Sequence, residues 1–149
     1  MKISVEEITK VADLHKKFIS VHADTSDGPV TMEQLHSQIR DDDYINARSS
    51  LINYMRQLDY EKILELETLM EFGREWYFHA PYDYSCNELD TEPFSVDIID
   101  CFNRFRTFWG KPEGKGGAII YLIEKSPLSE YLHAALQHCD PDKITLPHV

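Results

Sequence analysis

Asp59-Tyr-Glu-Lys-Ile-Leu-Glu-Leu-Glu-Thr-Leu-Met-Glu-Phe-Gly73 is the stretch on which the fold class turns. Ile63, Leu66, Leu69 and Met70 recur at three- and four-residue steps, the period of one face of an α-helix. Asp59 stands where an N-cap is expected, because its side chain can accept an orphan amide of the first turn. Glu61, Glu65, Glu67, Glu71 and Glu75 are then expected on an acidic outer surface, and Gly73 reads as the end of the helix.

Helical punctuation continues on both sides. Ser4-Val-Glu-Glu7 is a capping box, in which the Ser hydroxyl and the Glu carboxylate satisfy each other's backbone amides. Ile8, Val11, Ala12, Phe18 and Ile19 follow it, and DTSDGP, from Asp24 to Pro29, ends that helix. Thr31-Met-Glu-Gln34 is a second capping box, opening a short helix with Met32, Leu35 and Ile39 on one face. Asp41-Asp-Asp43 reads as an acidic break before a third helix, whose stripe is Tyr44, Ala47, Leu51, Tyr54, Met55 and Leu58. Beyond Gly73, residues 76–93 (WYFHAPYDYSCNELDTEP) read as an irregular, aromatic-rich loop. A further helix starts at Ser95 or at the Thr91-Glu-Pro93 corner, lined by Phe94, Ile98, Ile99, Phe102, Phe105 and Trp109. GKPEGKGG (110–117) then precedes a short helix, Ala118 to Lys125. Ser126 as cap and Pro127 at the first helical position open the last helix, with Leu128, Tyr131, Leu132, Ala135 and Leu136 on its apolar face. The tail 140–149, with two prolines, reads as loose. The expectation is one all-α domain over residues 1–149, with six or seven helices and no significant β-sheet.

Composition bounds the function. A chain of 149 residues with 42% apolar and 28% charged residues has globular proportions and suits a single domain. Its net charge of −11, from 26 acids against 15 Lys and Arg, works against direct nucleic-acid binding, which depends on neutralising phosphates. Cys86, Cys101 and Cys139 are an odd number at wide spacing, so reduced thiols in a cytoplasm are expected. No apolar stretch is of membrane-spanning length, and no signal peptide is read at MKISVEEITK.

Four features carry candidate chemistry. GKPEGKGG holds four of the six glycines, but it fails the phosphate-loop test. Gly110 and Gly114 have three residues between them rather than four, Lys115 is followed by glycine rather than Ser or Thr, and a helix precedes the loop where a strand is required. A weak anion site at Lys115, Gly116 and Gly117, on the amides of the following helix, is what survives. His15 and His22 are two helical turns apart, roughly 10 Å, too far to share a metal ion. They read as core or boundary histidines with local hydrogen bonds. His79, Asp83, Cys86, Glu88 and Asp90 are metal-capable side chains in the irregular loop, without zinc-type spacing, and a polar loop with chance ligands is the simpler reading. Trp76, Tyr77, Phe78, Tyr82 and Tyr84 crowd the same loop, and exposed Tyr and Trp are frequent interface anchors.

Two segments, Leu58 to Arg74 (LDYEKILELETLMEFGR) and Tyr121 to Leu136 (YLIEKSPLSEYLHAAL), together resemble an uncharacterised bacterial family of small acidic helical proteins, domain of unknown function 3775. The resemblance implies a helical fold and a bacterial cytoplasmic setting, and it brings no catalytic residue. The aromatic insert at 76–93 departs from the family pattern. The expected function is protein binding, in a regulatory, adaptor or antitoxin-like role, with Trp76, Tyr77, Tyr82 and Tyr84 as contact residues and no cofactor. One alternative is an enzyme or metal protein using His79, Asp83 and Cys86. The other is an acidic nucleic-acid mimic, with Asp41, Glu61 and Glu65 in one spaced band.

Overall fold

The computed structural model describes residues 1–26, 38–79, 95–106 and 114–147. Among them the fold is all-α, with no strand. The helices are α1 Val5–Ser26, α2 Gln38–Gln57, α3 Tyr60–His79, α4 Ile98–Arg106, α5 Gly114–Ile123 and α6 Leu128–His138, followed by a 3-10 turn at Pro141–Lys143. The capping box that opens at Thr31 lies outside the described residues.

The capping box of α1 forms as the sequence predicts. The Ser4 amide donates to Glu7 Oε1 and the Glu7 amide to Ser4 Oγ, each at 3.1 Å. Lys62 of α3 then donates to both Glu7 oxygens, at 3.1 and 3.0 Å, so a local helix start also ties α1 to α3. Burial pushes the Glu7 carboxyl up, but the Ser4 amide and Lys62 outweigh it and hold the group below its ordinary value.

α3 is the central element. It packs mainly on α6, and also on α4 and α5, while α1 packs on α2 and α6. Buried Ile63, Leu66 and Leu69 join Leu51, Met55 and Leu132 in one apolar core. The expected end at Gly73 is not the end: α3 runs on to His79. A Cβ at Gly73 would lie 1.7 Å from the Tyr131 carbonyl oxygen, so the glycine serves close helix contact rather than termination. Its cost of about 1 kcal/mol in a helix interior is the condition for seating α6. Residues 76–79, expected as the start of an irregular loop, are therefore the last turn of α3.

The expected acidic outer surface of α3 is interrupted. Glu65 is fully buried and Glu67 is 6% exposed. The two oxygens of Glu65 accept the Lys2 and Ile3 amides, both at 2.8 Å, and such charge-assisted bonds offset its loss of water. Glu65 thus clamps the segment before α1 onto α3. Glu67 makes no such bond among the described residues, and burial pushes its carboxyl up to about 7. Thr68, also buried, satisfies its hydroxyl on the Leu64 carbonyl at 2.9 Å.

Other boundaries shift for local reasons. Asp41–Asp43 do not break the chain; they lie within α2, which runs through them without interruption. α1 extends to Ser26. α4 begins at Ile98, because Asp97 caps it: its side chain accepts from the Ile99 amide at 2.9 Å and its carbonyl from Cys101 at 3.2 Å. α5 starts at Gly114, ahead of the expected Ala118, and Gly114 has the left-handed φ of 55° that glycine tolerates. Pro127, expected inside α6, occupies its cap position, its carbonyl accepting from Tyr131 at 2.9 Å. The tail expected to be loose is anchored as far as Leu146, which is 2% exposed. The Met1 nitrogen donates to Pro141 O at 2.9 Å and also to Ile144 O, and the Asp140 side chain accepts from the Asp142 amide at 3.1 Å.

Gly73→Ala is expected to destabilise the fold by about 2–3 kcal/mol, the cost of overpacking, although Ala is the better helix former. Urea unfolding of both proteins measures it, and a stabilised variant would show that α3 and α6 are not in close contact. Glu67 sets a pH dependence. Its folded value of about 7 lies above the ordinary 4.5, so the folded state holds the extra proton between these values. Its contribution is therefore full below pH 4.5 and is lost as pH rises through 7. Glu67→Gln is expected to flatten that slope, equalling the parent near pH 4 and exceeding it at pH 8 by up to about 3 kcal/mol. Unfolding midpoints across this range check it.

Candidate functional site

The last turns of α3 carry a row of aromatic side chains toward α6. Helical spacing separates their roles. Trp76 turns to the core side, edge-on to Phe72 at 6.4 Å, and lies flat on the His138 ring at 3.9 Å with 3° between planes. Tyr77 and Phe78 are 45% and 52% exposed. Their rings meet at 5.8 Å, and both meet Tyr131 of α6, at 5.4 and 6.1 Å. These are tilted or edge arrangements, which suit the ring quadrupoles better than a face-to-face sandwich. Close seating of α6 at Gly73, on the Tyr131 carbonyl itself, is what brings the Tyr131 ring into this cluster.

Charged groups frame the cluster. The Arg74 guanidinium lies 6.0 Å from the Phe78 centroid, with Nη1 3.6 Å from Glu71 Oε2. Arg104 of α4 reaches the other Glu71 oxygen at 3.3 Å. His79 Nε2 is 3.9 Å from Glu75 Oε2. Glu130, the residue before Tyr131, is exposed and makes no ion pair among the described residues. Burial pushes the Tyr131 hydroxyl above its ordinary value; Arg74 opposes that, and Glu130 and Glu71 add to it.

Of the contact residues expected from sequence, Tyr77 is exposed in this cluster and Trp76 is stacked on His138. Tyr82 and Tyr84 lie outside the described residues. So do Asp83, Cys86, Glu88 and Asp90, which leaves His79 as the described member of the metal alternative. Among the described residues no three His, Cys, Asp or Glu side chains gather as a metal site. The anion candidates sit at the start of α5, but Lys115 points its Nζ to the Arg56 carbonyl at 2.7 Å, where it caps the last turn of α2. Gly116 and Gly117 lie in the first turn of α5.

His15 is a core histidine. It is fully buried and stacked on Phe18 at 6.0 Å, with Nε2 3.1 Å from the Ile123 carbonyl. A carbonyl only accepts, so Nε2 carries the proton; burial lowers the affinity for a second one. Burial also pushes the thiols of Cys101 and Cys139 up to about 11, which makes both poor nucleophiles at neutral pH. A cleft of about 390 Å³ between α1 and α2 is lined by Leu14, Val21 and Ala47, with Lys17, Asp43, Asn46 and Ser50 as its polar groups. No helix among the described residues is long and apolar enough to cross a membrane.

Sequence reasoning missed Phe78, Tyr131 and Arg74 as one cluster. Carrying the helical phase past Gly73 places Arg74 and Phe78 one turn apart, which was a usable signal. Tyr131 had none, since its place depends on how α6 packs. Compared with known proteins, the chain matches no family model, no curated protein and no solved structure.

His138→Ala removes the ring stacked on Trp76. The variant is expected to lose about 0.5–1.5 kcal/mol of stability and to shift tryptophan emission to the red as the indole face meets water. Fluorescence-monitored unfolding measures both, and unchanged emission would place the two rings apart in solution.

Proposed function

We propose that this protein is a protein-binding module of the cytoplasm, acting through the aromatic end of α3 and α6. The observation that carries the reading is the adjacent exposed pair Tyr77 and Phe78, supported from below by Tyr131. Two large rings in water on a rigid helix lose little conformational freedom when covered, which is why such residues anchor interfaces. The surrounding polar and charged groups suit a rim around an apolar centre. A regulatory or adaptor role fits a surface without catalytic chemistry among the described residues. The resemblance to the bacterial family of unknown function belongs to the same proposal, and rests on the segments that form α3 and the α5–α6 corner.

The paired variant Tyr77→Ala/Phe78→Ala removes exposed ring surface and keeps every charge. Crosslinked affinity capture from source cells, followed by mass spectrometry, is expected to show a partner that the parent retains and the folded variant loses. Identical captured sets from parent and variant would refute the reading.

A further inference from the structure

A buried histidine of α1 holds the corner between α5 and α6 by a bond that one proton can undo. We propose that His15 is an acid-operated latch: a proton taken from solvent at its second ring nitrogen releases that corner from α1.

The last carbonyls of a helix have no partner within it, and Ile123 ends α5. Its carbonyl accepts from His15 Nε2 at 3.1 Å, so α1 caps α5 across 108 residues of chain. α5 is ten residues long and rests chiefly on α3 and α2. Beyond Ile123 the chain turns into α6, whose first turn carries Tyr131.

His15 is fully buried, and Phe18 stacks on its ring at 6.0 Å. Nδ1 is buried too, with no hydrogen-bond partner among the described residues. In the neutral ring Nδ1 is a bare acceptor. Protonated, it becomes a second N–H donor on a cation, with no acceptor beside it, and a buried charge in that condition is costly. The surroundings offer little compensation. Phe18 and the Ile123 carbonyl are uncharged, and Tyr44 of α2 stands behind Phe18, ring to ring at 5.4 Å. Glu130 of α6 is the charged group that bears on the ring. Burial lowers the proton affinity of the folded imidazole, and the Ile123 carbonyl and Glu130 oppose that without prevailing.

When the corner lifts, the ring meets water and regains its ordinary value of 6.5. The lifted form then binds a proton that the closed form refuses. Closure is therefore full above pH 6.5 and weakens as pH falls toward the folded value. Between pH 7.5 and pH 5 the lifted population rises by up to about thirtyfold. Glu67 cannot produce this loss, because its slope runs the other way, and Glu7, held below its ordinary 4.5, stays largely ionised over the range.

Hydrogen–deuterium exchange of the full chain, read by mass spectrometry at pH 7.5 and pH 5 and corrected for intrinsic exchange rates, tests the latch. Peptides covering residues 118–128 are expected to lose at least about tenfold in protection at pH 5, while those covering 63–70 of α3 keep theirs. His15→Gln retains an N–H donor for the Ile123 carbonyl without a titrating ring, and is expected to protect the corner equally at both pH values. Unchanged protection in the parent overturns the proposal, and so does a glutamine variant that loses as much as the parent. Should that variant fail to fold, a pH series on the parent decides. Corner protection is expected to fall below pH 6.5 with a slope approaching tenfold per pH unit, that of a single proton. A flat series, or an equal fall in α3, overturns the proposal, the latter by assigning the loss to unfolding of the whole domain.

Discussion

At Gly73 the backbone of α3 comes so close to the Tyr131 carbonyl that no side chain fits between them. This contact sets the height at which α6 crosses α3, and much of the molecule follows from that height. α6 in turn supports α1, so the two ends of the described chain are packed through one pair of helices. The same approach lets Trp76 lie flat on His138 and brings Tyr131 beneath Tyr77 and Phe78. A core contact made for packing thereby builds the exposed surface proposed above for partner binding.

Two glutamates on α3 show how strongly context decides the meaning of a residue. Glu65 and Glu67 are both buried. Glu65 receives two backbone amides and fixes the start of the chain, whereas Glu67 receives none among the described residues and is held toward its protonated form. The first compensates its desolvation with directed hydrogen bonds; the second makes folding sensitive to pH in the neutral range. A carboxyl left in this condition is a cost that the surrounding apolar packing has to exceed.

The readable part of the sequence was its local part. The capping box at Ser4–Glu7, the apolar stripes of α1, α2, α3 and α6, and the core character of His15 follow from periodicity and near-neighbour hydrogen bonding, and all are present. Gly73 looks like a stop signal because glycine ends helices when nothing opposes it, and here α6 opposes it. Asp41–Asp43 look like a break because Asp is a poor helix former, yet that cost is only roughly a few tenths of a kcal/mol per residue, and the chain continues as helix through them. The tail looks loose because it holds two prolines, yet Leu146 is buried and the Met1 nitrogen binds the carbonyls of Pro141 and Ile144.

The candidate surface was half legible for the same reason. Tyr77 stands out as an aromatic without an obvious core role, but Tyr131, on which it packs, belongs to another helix more than 50 residues along the chain. By itself the sequence determined that this is a helical chain with a sizeable core and an acidic surface, because helix periodicity and charge are properties of neighbouring residues. Tertiary structure alone decided where α3 ends, which glutamates are buried, and which rings face water. Each of those depends on a contact between segments far apart in sequence, and no local pattern encodes the distance at which two helices meet.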